Sequence, residues 1–251
     1  MKVKKDVLVD FLKKATMTGV SALTEGIIDF AKAGIIISSQ SASNNVLVNA
    51  ILKAKAIEDY KPIGQIGINN LQDVSKLLSG FTGDFIKFEI KLNQLIFKSA
   101  HRRVKITLMD KDAVQKPTLY PESLDDRMEI NISMDLIKGF FKNMNIVNTA
   151  EFSFELKGRD LLFNTKGFNE VTEKVSVDSK KGDVKLRLNR SFIDAVENLN
   201  DDVLMEMKTD YPISVTSKTE EVLVRILVAP IVDEASLLDG AEAEKTDEAK
   251  S

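Results

Sequence analysis

Val184, Leu186 and Leu188 alternate with Lys185 and Arg187, and this two-residue period does most to limit what the chain can become. Successive side chains of a strand point to opposite faces, so such a run suits a sheet with one face on a core and the other toward water. Comparable strand signals recur at 26–30, 35–38, 46–52, 85–91, 94–98, 103–109, 129–132, 151–156, 160–164, 172–177, 203–207, 213–216 and 222–228. The residues 31–34 between the first two read as a hairpin turn. The fold is built mainly on sheets.

Four amphipathic segments interrupt the strands. The spacing predicts a helix over 7–18, with Leu8, Leu12 and Ala15 on one face and Lys13 and Lys14 turned away. A second, over 70–79, sets Leu71, Val74 and Leu78 inward and Lys76 roughly opposite Val74. A third, over 134–144, buries Ile137, Phe140 and Phe141, with Lys138 and Lys142 together on the other side. A fourth, over 190–199, buries Phe192, Val196 and Leu199 and turns Arg190, Asp194 and Asn198 outward. Helix, strands, helix, strands then occurs twice, a duplication of architecture rather than of residues.

Between the repeats lies DKDAVQKPTLYPESLDD (110–126), with two prolines, several charges and no sustained period. It reads as an exposed linker. The final residues, DGAEAEKTDEAKS, are too polar to build a core and read as an acidic disordered tail. The expected division is α+β: one domain over 1–109, the linker over 110–126, a second similar domain over 127–234, and the tail over 235–251.

Composition removes several function classes. The 251 residues include one histidine and no cysteine, so no thiol chemistry and no disulfide are available. Nucleophile, base and orienting group cannot be assembled from His101 alone, which reads as an exposed strand-end residue. Neither GxxxxGK[ST] nor GxGxxG is present. Glu122, Asp125 and Asp126 lack the calcium-loop pattern. No enzyme activity, cofactor or metal is expected, although an enzyme working through carboxylates alone stays formally open. The net charge of -3 is not that of a simple basic nucleic-acid binder, but it says nothing of how charge is distributed. No apolar run approaches the roughly 18–20 residues that span a bilayer. The opening MKVKKDVLVDFLKK is broken by charge too often for a signal peptide. A soluble, intracellular protein is expected, in cytoplasm or nucleus.

Several short matches occur in one order. They are Phe11-Leu12-Lys13-Lys14, Val74-Ser75-Lys76-Leu77-Leu78, Leu108-Met109-Asp110, Tyr120-Pro121-Glu122, Tyr211-Pro212-Ile213 and the terminal ILVAPIVDE of 226–234. Together they resemble the eukaryotic and archaeal sliding clamps, the proliferating cell nuclear antigen family. Each motif alone is unspecific; the resemblance rests on their shared order over 1–234. It implies a two-domain subunit, three of which close into a ring with helices lining the hole.

The resemblance also implies sites. Lys13, Lys14, Lys76, Lys138, Lys142 and Arg190 would face double-stranded DNA. Contact with phosphates needs only diffuse positive charge and reads no sequence. Arg102, Arg103 and Lys105 of one subunit would lie along a neighbour's edge strand carrying Glu170, Glu173 and Val175, a basic strand against an acidic one. Leu47, Leu119, Tyr120, Pro212, Leu227, Val228, Ala229 and Pro230 would border a pocket for short peptides of DNA polymerase and other partners. A clamp loader would be a further partner. The rival readings are a clamp-fold scaffold serving checkpoint or transcription complexes, and the carboxylate-dependent enzyme.

Overall fold

The computed structural model describes residues 1–17, 25–69, 71–114, 126–147, 149–165, 170–179 and 182–232. The first half runs β1 (Lys2–Lys4), α1 (Lys5–Thr16), β2 (Glu25–Ala31), β3 (Gly34–Gln40), β4 (Val46–Lys53), the short β5 (Ile57–Glu58), β6 (Gly64–Asn69), α2 (Leu71–Ser79), β7 (Phe85–Lys91), β8 (Gln94–Lys98) and β9 (Arg103–Thr107). The second runs β10 (Met128–Ile132), α3 (Met134–Val147), β11 (Glu151–Lys157), β12 (Asp160–Thr165), β13 (Val171–Ser176), β14 (Asp183–Asn189), α4 (Arg190–Val196), β15 (Val203–Met207), β16 (Ile213–Lys218) and β17 (Val222–Val228). Leaving β5 aside, the two halves have the same order of elements.

Three antiparallel sheets result. The largest has eight strands in the order β10-β15-β16-β17-β4-β3-β2-β6, so it passes without a break from the second half into the first. The crossing point is β17 on β4, paired from Val222–Leu52 to Val228–Val46. The other two are β5-β1-β7-β8-β9, built from the first half, and β13-β12-β11-β14, built from the second. Gly34 opens β3 at φ 141°, where a β-carbon would lie 2.0 Å from the carbonyl oxygen of Leu52. Only glycine suits that hairpin position.

The helices cover one face of these sheets through the expected apolar stripes. Leu8, Phe11, Leu12 and Ala15 of α1 are buried with Ile28, Phe30, Ile37 and Val48. Phe140 of α3 stacks on Phe163 at 4.8 Å between centroids and meets Phe152 edge-on at 6.0 Å. Phe154 and Phe192 complete that cluster at 5.3 Å. Each such ring taken out of water contributes about 1.5–3 kcal/mol.

Helix ends differ from expectation for local reasons. α1 stops at Thr16, whose hydroxyl donates to Leu12 O at 2.9 Å, and Met17 takes a left-handed φ of 55°. α4 starts where Asn189 Oδ1 accepts from Ser191 N at 3.0 Å. It ends at Val196, yet Leu199 beyond it remains buried. α3 runs on to Val147. None of the described helices is long and apolar enough to cross a membrane.

Candidate functional site

The four helices lie side by side in the order α2, α1, α4, α3. α2 packs on α1. Asn198, just past α4, donates through Nδ2 to Lys13 O of α1 at 2.8 Å. Phe192 of α4 meets Phe141 of α3 at 6.1 Å, and Arg190 donates to Asn145 Oδ1 at 3.1 Å. The outermost helices each sit by a sheet edge. Arg102 Nη1 donates to Gly80 O at the end of α2 at 2.9 Å, immediately before β9. Asn143 of α3 donates to Glu173 of β13.

Most of the expected cations stand on the solvent side of this row. Lys13 and Lys142 are exposed. Lys76 is exposed, 3.3 Å from Gln72 Oε1 and 3.7 Å from Asp73 Oδ1. Lys138 donates to Asn200 Oδ1 at 2.8 Å. Arg190 is exposed, with Nε 3.8 Å from Asp194 Oδ1.

Two expected outward side chains are in fact inward. Lys14 is only 3% exposed, and its Nζ lies 3.0 Å from both Asp10 Oδ2 and Asp201 Oδ2. Burial pulls its pKa down, but the hydrogen bonds to the two carboxylates outweigh it and hold the ammonium above its ordinary value. The loop after α4 covers that flank of α1, which a period within one helix cannot reveal. Asp194 is likewise buried rather than outward. A groove between α1 and the loop after α4 is lined by Asp6, Val9, Asp10, Lys13, Glu197, Asn198 and Asn200. The middle of the helix row is therefore acidic, a feature that only juxtaposition of the two halves creates.

Among the described residues, β9 pairs only with β8 and β13 only with β12. Both strands expected at a subunit seam are thus free edges among the described residues, one in each half. Register assigns their faces. Val104 and Ile106 pair with Phe97 and Leu95, on the core side. Val171, Glu173 and Val175 pair with Thr165, Phe163 and Leu161, also on the core side. Arg103 and Lys105 occupy the opposite face, as do Thr172, Lys174 and Ser176. Of the residues expected to match across the seam, Arg102 and Arg103 with Glu170 and Glu173, Arg103 lies on the outer face of its strand whereas Glu173 lies under α3 on the core side. Lys174 shares the face of Arg103 and Lys105, 2.8 Å from Asp160 Oδ2, which holds that carboxyl below its usual range. Arg102 lies at the α2 end rather than on the strand, and Glu170 is exposed just before β13.

Asn143 marks the flank of α3 that faces β13. Leu136, Gly139 and Ile146 share this flank by helical spacing. Leu136 and Ile146 are 46% and 79% exposed. These apolar residues at the free edge did not figure among the expected sites, because a helix wheel scores them as imperfections of a polar face.

The expected pocket residues gather in part. Leu227 pairs with Leu47 and Ser214, and Ala229 N donates to Asn45 O at 2.8 Å. Continuing this register sets Pro212 opposite Ala229, on the face away from the helices, and Pro230 follows, half-buried, where the chain leaves β17. Val228 does not belong to this group. It pairs with Val46 and Ile213 on the helix side and is completely buried. Leu119 and Tyr120 lie outside the described residues. Ile231 N donates to Arg187 O at 2.8 Å, so the chain leaving β17 crosses to the edge strand β14.

No protein-family model matches the chain. No curated protein matches it in sequence. Solved structures do match in fold. The structure of the C-terminal region of FEN-1 bound to A. fulgidus PCNA gives a TM-score of 0.81 at 14% identity, covering 93% of this chain and 98% of that one. PCNA from Entamoeba histolytica gives 0.80 at 17% identity over 92% and 98%. The PCNA2–PCNA3 complex from Sulfolobus tokodaii gives 0.76 at 14% identity over 91% and 98%. The architecture is that of a DNA clamp. Specifically, the chain has the proliferating cell nuclear antigen fold over more than nine-tenths of its length.

Proposed function

We propose that this chain is a sliding clamp: three copies close into a ring around double-stranded DNA and tether DNA polymerase and other DNA-processing proteins. It acts as a soluble intracellular protein and catalyses nothing. A clamp loader opens the ring, and partners attach through short peptides beside Leu47, Leu227, Pro212, Ala229 and Pro230, with Leu119 and Tyr120 of the linker as the opposing wall. The observation that carries this reading is the pair of free edges, β9 in the first half and β13 in the second, each beside an outer helix of the single helix row. Head-to-tail addition of one edge to the other generates a closed ring whose helices face inward. Lys13, Lys76, Lys138, Lys142 and Arg190 then line the hole; Lys14 does not, being spent on Asp10 and Asp201.

A ring of non-identical copies is the second reading. It is favoured by Lys174, which would meet Arg103 and Lys105 on the same face of a homotypic seam. Light scattering decides between them. A mass three times 27.9 kDa supports the homotrimer. A persistent monomer at micromolar concentration rejects it. Stimulation of a polymerase on primed circular DNA then separates a replication clamp from a scaffold that only shares the fold.

A further inference from the structure

The face of the eight-stranded sheet turned away from the helices carries more than the pocket residues. Leu227, Arg225 and Leu223 are alternate residues of β17 on that face, while Val224 and Ile226 between them are buried on the helix side. Register extends each into a row across the neighbouring strands. Leu227 pairs with Leu47. Arg225 pairs with Asn49 and Thr216. Leu223 pairs with Ile51, and Ile51 with Ile36. Ile36, Ile51 and Leu223 are half-buried and form a second apolar row, separated from the Leu47–Leu227 pair by the row of Arg225.

The carboxylates nearest these rows in register have partners of their own. Asp29, opposite Ile36, accepts from Gln65 Nε2 at 3.1 Å. Glu206, opposite Ser214, accepts from Ser214 Oγ at 2.8 Å. Glu220 and Glu221 lie past Leu223 at the turn, and Glu220 is 3.0 Å from Lys55 Nζ. Lys218, opposite Leu223, is exposed. Arg225 is exposed and takes part in no ion pair among the described residues.

We infer that the peptide site continues from Leu47 and Leu227 over Arg225 to Ile36, Ile51 and Leu223, and takes an extended peptide with a carboxylate between two apolar side chains. This rests on the peptide-binding reading above. Residues two apart on a strand are about 7 Å apart, which sets the two apolar rows about 14 Å apart. An extended peptide lying along β17 spans that distance with side chains i, i+2 and i+4 on one face: apolar, acidic, apolar. The guanidinium in the middle suits a carboxylate through paired N–H donors. The occupant is a partner's peptide and not this chain's own end, because Ile231 N donates to Arg187 O at 2.8 Å and carries the backbone from β17 toward β14.

Calorimetry on the full chain tests this. A polymerase-derived peptide is extended beyond its apolar anchor by Gly-Glu-Gly-Leu, at either end in turn, with Gln or Lys replacing Glu in control peptides. One of the two extensions should tighten binding about tenfold over the parent peptide, in the order Glu, Gln, Lys. Arg225→Glu should reverse that order and make the Lys peptide the tightest, a gain that a misfolded variant cannot produce. Ile51→Ser should cancel the gain from the added Leu. If the parent peptide binds but no extension improves it, or the order survives Arg225→Glu, or the gain survives Ile51→Ser, the extension falls and the peptide site stands. If neither the parent nor any extended peptide binds the wild type, or Leu227→Glu leaves binding unchanged, the peptide site falls and the extension with it.

Discussion

Lys14 Nζ and Asp201 Oδ2 lie 3.0 Å apart, joining residues 187 positions distant along the chain. Asp10 closes the other side at the same distance, and Ser217 Oγ donates to Asp201 Oδ2 at 3.4 Å. The pair fastens α1 of the first half to the loop after α4 of the second. Replacing the cation leaves two carboxylates facing each other. Because both are partly exposed, water screens much of the loss. Lys14→Met should lower the unfolding free energy by about 1–2 kcal/mol, read as a reduced urea midpoint, and should weaken DNA binding far less than Lys142→Glu. The raised pKa sets the pH dependence: the bridge contributes below the ordinary lysine value of 10.5 and is lost as pH rises through the higher folded-state value. Lys14→Met should therefore flatten the alkaline limb of the stability curve.

Glu155 contributes on the acid side. Hydrogen bonds from Lys185 and then Lys157 hold its carboxyl below the usual range against a smaller opposing effect of burial. Its contribution is present above the ordinary pKa of 4.5 and fades as pH falls through the lowered folded-state value. Glu155→Gln should make stability less sensitive to acid in that window. Equal slopes for wild type and variant in urea titrations would show that the two lysines stabilise nothing.

Arg103 discriminates between two pictures of the seam. If it met Glu173, Arg103→Glu would loosen assembly. The pleat instead sets it beside Lys98 across the strand pair and on the face that Lys174 occupies on β13, each of these lysines paired with a carboxylate, Glu89 and Asp160. Arg103→Glu should lower the dissociation constant of the assembly severalfold at low salt, and added salt should tighten the wild type rather than weaken it. Sedimentation equilibrium over a salt series measures both.

The helix side of the seam should behave as an apolar contact. In the proposed ring, Ile146→Asp would insert a charge where Ile146, Leu136, Val171 and Val175 would face the neighbour's Val104 and Ile106. The variant should be monomeric by light scattering at concentrations where wild type is assembled, with unchanged thermal unfolding of the single chain.

For the peptide site, Leu227→Glu should abolish calorimetric binding of a polymerase-derived peptide, because Leu227 lies on the outer face beside Leu47. Val228→Ala should leave peptide affinity intact and cost stability, about 1–2 kcal/mol for buried methyl groups. Equal loss of affinity in both would misplace the pocket.

What the sequence reveals here is what lies within single elements. The period of two in β14 and the stripe Ile137, Phe140, Phe141 in α3 each report a local face, and both hold in three dimensions. Lys14 and Asp194 escaped for a common reason. Their surroundings are supplied by segments far away in the chain, so a wheel drawn for one helix leaves them on the water side. Glu173 illustrates a different limit: its acidic character says nothing of the pleat that turns it toward α3. Val228 shows the same limit, with Leu227 and Val228 adjacent in sequence and on opposite faces of one strand.

The crossing of β17 onto β4 also determines where the molecule yields. Seven consecutive residue pairs hold the halves together there, in the interior of a sheet eight strands wide. The edge β9 offers five residues and β13 six. In the proposed ring, the seam between copies is therefore the weaker join, and opening it asks only that one short strand be peeled from another.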